Sequence, residues 1–309
     1  MPRPTTPRIP PVDPGAMTES QRAVVGIAIS NVVLTLVRNE DLVTPWLTLA
    51  GRLGFGSRLS PRDRELVILR VALRTECEYE WGHATIALGL GVTAAEVQAL
   101  SDVSGAWSTD ATLLGAVDEV CAADCVSHET WAGLAATRDD AQIVELLALI
   151  GFYRMNAGML NSMGVQCEPG APRLGEVPAP VVTRPPQSAP PPSATDRASG
   201  AATTQPRGSG LGGTWQIVFH HPTGDQQLTL VINTIKGSMS GSVTNPALKV
   251  SLPIVEGSVD GNHFSFRAPL KMPLKVDITY DGSVDGDAIA GHVAIQGGGS
   301  FPFEGTRLS

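Results

Sequence analysis

"LSPRDRELVILRVALRTECEYEWGHATIALGLG", residues 59–91, sets Glu65, Glu76, Cys77, Glu78, Glu80 and His83 into a stretch that otherwise has the apolar spacing of buried helix. Ser60 is a natural N-cap, Pro61 fits the first helical position and Asp63 the first turn. The resulting helix, 60–74, carries Glu65 in its first half and has Val67, Ile68, Val71 and Ala72 as its core face. Thr75-Glu76-Cys77-Glu78 has the T-x-x-E form of a capping box, which predicts a fresh helix starting at Thr75. Cys77 then falls in a first turn, where the dipole favours a thiolate while three nearby glutamates oppose it. Glu80 and His83 are three apart, and Cys77 precedes Glu80 by three, so one helix face holds all three. A carboxylate beside an imidazole is a proton-transfer pair. The plainer reading makes Glu76 and Glu78 ordinary dipole partners, and Cys77 and His83 core or rim residues. Sequence leaves both open.

Outward from this stretch, residues 18–164 read as helix throughout: "SQRAVVGIAISNVVLTLVRN", then "EDLVTPWLTLAGRLGFG" interrupted near Pro45. Thr93-Ala94-Ala95-Glu96 repeats the capping signal, and helices near 109–126, 128–137 and 140–163 follow. An extended arm (1–17) thus precedes an all-α bundle (18–175). Residues 176–212, rich in Pro, Ala and Ser, read as a linker. From 213 to 309 short alternating strands are punctuated by turn residues, with Gly257–Gly261 and Gly282–Gly286 both spelling GSVDG. That pattern predicts an antiparallel meander closed into a small β-barrel. Interior candidates are Trp215, Ile217, Leu228, Leu230, Phe264, Phe266 and Ile278. The chain is therefore multidomain, α then β.

The 309 residues carry a net charge of −8, with 42% hydrophobic and 17% charged residues. Nothing here resembles a nucleic-acid or anionic-lipid footprint, and no apolar run reaches the roughly 18 residues of a membrane helix. Four cysteines are no disulfide framework, so a cytoplasmic protein with reduced thiols is expected. Cys121, Cys125 and His128 fall short of known zinc spacings, and His220-His221 point to opposite sheet faces, so no metal site is expected.

Residues up to about 175 resemble the carboxymuconolactone decarboxylase family, within the alkylhydroperoxidase D-like superfamily. "NVVLTLVRNEDLVTPWLTLAGRL", "LSPRDRELVILRVALRTECEYEWGHA" and "NAGMLNSMGV" carry the likeness. It implies an all-α fold that assembles as a homo-oligomer, a trimer or hexamer, through the helical domain. It also implies action on a small molecule without a cofactor. In the peroxidase branch a cysteine pair is oxidised by peroxide while a glutamate and histidines relay protons. Glu65 matches the relay glutamate, Cys77 the first cysteine and Glu80 the second, while Ala84 stands where that branch has histidine, one position after His83. Cys167 is then the distant candidate for a resolving thiol. The decarboxylase branch carries an E-Y-E-W block like Glu78–Trp81, which makes Tyr79 and Trp81 substrate-binding candidates. Arg70, Arg74 and Arg154 are candidate anchors for a substrate carboxylate, and Asn161 matches the family's C-terminal helix motif. The resemblance thus implies acid/base chemistry on a small carboxylated metabolite by Glu65, Cys77, Glu80 and His83. A thiol peroxidase working through Cys77 is the alternative. A third possibility is a non-catalytic binding protein whose β-domain, loosely like calycin modules, recognises a ligand.

Overall fold

The computed structural model describes residues 3–25, 30–101, 110–178, 210–221, 224–235, 238–246, 250–270, 276–295 and 299–308. Most of the expected linker (179–209) lies outside them. The helical region runs α1 (Glu19–Val25), α2 (Asn31–Leu36), α3 (Glu40–Gly54), α4 (Pro61–Arg74), α5 (Glu78–Trp81), α6 (His83–Gly89), α7 (Ala94–Ser101), α8 (Ala111–Ala123), α9 (His128–Ala135) and α10 (Asp140–Met163). The caps explain most of these starts. Ser60, Ser127 and Asp139 each accept from a first-turn backbone N–H, and Thr93 and Glu96 exchange the two bonds of a capping box.

Two expectations fail. Helix α3 continues through Pro45, because a proline there removes a single backbone bond while flanking turns hold. Thr75 caps nothing: it ends α4, and its hydroxyl donates back to the carbonyl of Val71 at 2.7 Å. Glu76 takes a left-handed φ of 49°, and Cys77 becomes the N-cap of the one-turn helix α5 without a side-chain cap bond.

Helix α4 is the hub. Every residue from Arg64 to Ala72 is buried. Val67, Ile68 and Val71 pack into one cluster with α8, α9 and α10, and Leu66, Leu69 and Ala72 into another with Trp81, Ala84, Val97 and Leu114. A helix apolar on both sides belongs at the centre of its bundle. Helix α10 is also long and apolar enough to cross a membrane, yet half of that window is buried in the bundle, where Glu145 and Asn156 lie. Past α10, Gly164 turns left-handed (φ 70°), and an added Cβ would lie 2.7 Å from the carbonyl of Thr6 in the N-terminal arm. The tail 165–178 then returns across the bundle, and its Glu176 carbonyl accepts from the Trp81 indole at 2.8 Å.

The β-domain comprises β1 (Gly213–His221), β2 (Gly224–Ile235), β3 (Ser238–Asn245), β4 (Val250–Pro253), β5 (Val255–Asp260), β6 (His263–Arg267), β7 (Ile278–Asp285), β8 (Ala288–Ile295) and β9 (Gly299–Arg307). The antiparallel order β2-β1-β9-β8-β7-β6-β5-β3-β4, with an added β2–β3 pairing, closes a barrel. Strands β4 and β5 share the outer edge of β3 and act as one bent strand broken at Ile254, which leaves eight staves. All seven interior candidates are buried. Phe264, Phe266, Tyr280 and Phe303 follow one another at ring-centroid spacings of 6.0, 4.7 and 6.0 Å, so side chains fill this part of the interior.

Gly241 sits where β3 changes partner from β5 to β4. Its φ is 145°, and a Cβ there would fall 1.8 Å from the carbonyl oxygen of Val231. Gly241→Ala should therefore destabilise the barrel by about 2–4 kcal/mol while sparing the helical signal. Urea unfolding followed by near-ultraviolet and 222 nm circular dichroism reads both; an unshifted barrel transition would contradict this account of the bend.

Candidate active site

Glu65 is 1% exposed, in the second turn of α4, and a charge buried this deeply needs partners. Its neighbour Arg64 supplies one, with Nε 2.9 Å from Oε1. Nδ1 of His83, the first residue of α6, lies 2.8 Å from Oε2. Because a carboxylate only accepts, the proton of this bond sits on Nδ1, and Nε2 faces the other way. There, 3.9 Å off, is Oε2 of Glu80. One imidazole thus stands between two carboxylates, with Gly82 breaking the chain between α5 and α6 so that both side chains converge.

The two acids are held differently. Burial pushes the Glu65 carboxyl up, but His83 and Arg64 outweigh it and hold it below the usual carboxylate range. Burial also pushes Glu80 up, to about 7, against the smaller downward pull of His83 and Asn156 and with Glu65 adding to the rise. Burial lowers His83, and Glu65 with Glu80 more than restores it, leaving the imidazole above its ordinary value. The group is therefore biased toward a Glu65 carboxylate and a His83 imidazolium, with Glu80 the acid pushed toward keeping its proton.

These groups face a cavity of about 140 Å³. Its walls come from Trp46 and Ala50 on α3, Tyr79 to Ile86 around α5 and α6, Phe152, Tyr153 and Asn156 on α10, and Glu168 and Ala171 on the tail. Tyr153 meets the His83 ring edge-on at 5.5 Å. The tail is fastened by Glu168, which accepts from the Asn31 backbone at 2.7 Å and from the Tyr79 hydroxyl at 2.9 Å.

Of the residues singled out by sequence, Glu80, His83 and Tyr79 line the cavity, and Glu65 stands behind His83. Cys77 does not line it. The thiol is fully buried among Ala157, Leu160 and Val165, and burial, with Glu80 adding to it, pushes it up to about 12. Trp81 is spent on Glu176. Arg70 and Arg74 both bind Asp118, and Arg154 binds Asp124. Asn161 donates to the carbonyl of Thr75 and belongs to a separate, open groove with Arg3, Glu78 and Cys167. Cys125 is exposed and Cys121 half-buried on α8, while Ser127 starts α9 at His128. Sequence reasoning missed Arg64, Trp46, Tyr153, Asn156 and Glu168. Arg64 alone had a local signal, a second charge beside Glu65 in an apolar helix.

Residues 40–120 match the sequence model of the carboxymuconolactone decarboxylase family. Among solved structures, a protein from Ralstonia eutropha JMP134, titled an alkylhydroperoxidase AhpD core and uncharacterized peroxidase-related protein, is 20% identical. That likeness covers 49% of this chain and 83% of the other, with a TM-score of 0.43. An uncharacterized peroxidase-related protein from Silicibacter sp. TM1040 is 18% identical over 45% of this chain and 76% of its own, with a TM-score of 0.36. No curated protein matches the chain. Over residues 40–120, the span that holds Glu65, Glu80 and His83, the helical region is similar to the carboxymuconolactone decarboxylase family.

Proposed function

We propose that the helical domain is an enzyme performing cofactor-independent acid/base chemistry, a decarboxylation or related lyase or isomerase step, on a small and largely apolar acid. The observation that carries this reading is Glu80, a buried carboxyl pushed up to about 7 by burial in the wall of an aromatic-lined cavity. The cavity is close to the roughly 150 Å³ that accommodates a benzene ring. Among its described lining residues there is no arginine or lysine, so the cation facing a substrate carboxylate is the His83 imidazolium. This corrects the expected arginine anchors, whose guanidinium groups are held by Asp118 and Asp124.

In this scheme the substrate's C–C bond to its carboxylate breaks, carbon dioxide leaves, and the electron pair passes into an adjacent carbonyl as an enolate. Protonated Glu80 then gives its proton to carbon and is recharged from water, with Nε2 of His83 close enough to take part through one bridging molecule. Glu65 keeps the imidazole protonated on Nδ1 throughout. The peroxidase alternative has the Cys77 thiol against it: buried, outside the cavity wall and pushed away from its reactive form.

We further propose assembly as a homo-oligomer, trimer or hexamer, through the helical domain, in a cytoplasmic setting that keeps the thiols reduced. Along α10, Ala141, Val144, Ala148, Gly151, Met155, Gly158 and Ser162 form an exposed, uncharged stripe spaced alternately by three and four, and Leu42 and Leu49 of α3 are exposed as well. Glycines inside a helix each cost about 1 kcal/mol relative to alanine. Nothing lies within 4 Å of a Cβ added at Gly151 or Gly158, so no packing inside the chain calls for them. Close approach of another helix does.

Three outcomes follow. In a proton nuclear magnetic resonance screen of lactone acids and β-keto acids, Glu80→Gln and His83→Ala should each lower turnover at least 100-fold, and Cys77→Ala less than threefold. Loss of activity in Cys77→Ala alone, toward hydroperoxides, would install the thiol mechanism instead. Glu80 also has a stability signature. Its carboxyl lies higher in the folded protein than the ordinary value of 4.5, so the folded state binds the extra proton, and stability attributable to Glu80 falls as pH rises from about 4.5 to 7. Glu80→Gln should therefore gain relative to the parent by about 2 kcal/mol between pH 5 and pH 8 in urea titrations; a constant difference would refute the shifted carboxyl. Lastly, Met155→Glu should dissociate the assembly in light scattering with the helical signal intact, and a monomeric parent chain would end the oligomer proposal.

A further inference from the structure

We propose that Asn156, oriented by the indole of Trp46, is a positioning residue that holds the Glu80 carboxylate in one orientation and favours its charged form. Asn156 is 4% exposed in the middle of α10, where asparagine is a poor helix former and a buried amide must satisfy both its ends. Its Oδ1 accepts from Nε1 of Trp46 at 2.7 Å. An indole N–H only donates, so this bond decides which way the amide points: the oxygen faces α3, which leaves the NH₂ group to the cavity wall that Asn156 shares with Glu80, whose carboxyl it lowers. The three residues thus form a chain from α3 through α10 to α5, and all three line the cavity.

The groups that face Glu80 are His83 from α6, Glu65 from α4 with Arg64 behind it, Tyr153 from α10 and the Cys77 thiol at the head of α5. Within that set His83 and Asn156 favour the carboxylate, whereas burial and Glu65 oppose it. His83 is also the partner of Glu65, so its removal disturbs both acids. Among the described hydrogen bonds the Asn156 side chain has Trp46 as its partner, and it acts on Glu80 apart from the Glu65–His83 pair. A hydrogen bond to an ionised acceptor is roughly twice as strong as one between neutral groups, so an amide in this place acts on the charge as well as on the rotamer. The inference rests on the reading above that Glu80 exchanges the proton.

The test uses the full chain labelled with ¹³C at the glutamate carboxyls, the Glu80 signal being assigned by its loss in Glu80→Gln. Asn156→Leu should raise the Glu80 titration midpoint by about one unit. Trp46→Phe, which keeps the ring stack but frees the amide to flip, should move it the same way by less. The pH limb of kcat/KM should follow the midpoint in both variants. A midpoint unchanged in the folded variants overturns the proposal, and if Asn156→Leu fails to fold, Trp46→Phe decides alone. A midpoint that moves while the kinetic limb stays put leaves Asn156 as the residue that sets Glu80 and removes Glu80 from the reaction.

Discussion

The buried carboxylate of Glu65 is the constraint on which the helical domain turns. An ionised acid at the centre of a bundle costs several kcal/mol unless it is paired and fully hydrogen-bonded. Arg64 and His83 meet that demand from opposite sides, and in doing so they fix the geometry around them. His83 must sit at the start of α6, facing α4, so the chain between Thr75 and His83 folds as an irregular end, a one-turn helix and a break at Gly82. The same irregularity brings Glu80 beside the imidazole's free side. The geometry of the Glu65–His83–Glu80 cluster follows from neutralising a buried charge.

A similar economy explains where the other charges went. Helix α4 is buried on both sides, so Arg70 cannot stay unpaired and takes Asp118 from α8 at 2.7 Å. That pairing, shared by Arg74, consumes the two cations that lie between Glu65 and Glu80 in sequence. What remains around the cavity is aromatic and aliphatic except for the two acids, Glu80 and Glu168, the imidazole and the Asn156 amide, with the hydroxyls of Ser30, Tyr79 and Tyr153. A largely apolar wall strengthens the electrostatic interactions of the groups buried in it, Glu80 and Asn156 above all.

The legible parts of the sequence were those whose cause is local. Ser60-Pro61, Thr93–Glu96 and Ser127 each announce a helix through bonds made within four residues, and each cap forms. Strand alternation announces the barrel for the same reason, since inside and outside differ at every step. Thr75 misleads because T-x-x-E is ambiguous at the end of a preceding helix: its hydroxyl finds the carbonyls of Val71 and Ala72 before any downstream N–H. Glu65, Glu80 and His83 were visible as a charge cluster in an apolar stretch. Their distinct protonation was not, because Asn156 and Tyr153 come from about 70 residues downstream and Trp46 from another helix. Contacts of that range leave no periodicity to read.

The asymmetry between the two acids can be traced to how two neighbours, His83 and Arg64, are placed. Glu65 and Glu80 flank the same ring and are both deeply buried, so desolvation by itself would raise both. The imidazole between them does choose: it is hydrogen-bonded to Glu65 at 2.8 Å and stands 3.9 Å from Glu80. Arg64 adds to that choice: its guanidinium lies 2.9 Å from Glu65 and helps to hold that carboxyl down. Once Glu65 is committed to the anion, its negative charge adds to the burial that raises Glu80. Two chemically identical side chains are thereby driven apart, one to a fixed charge and one to an exchangeable proton, which is the division of labour acid/base chemistry requires. The hydrogen bond with His83, backed by an arginine that never touches the cavity, sets Glu65 as the fixed charge and leaves Glu80 as the raised carboxyl.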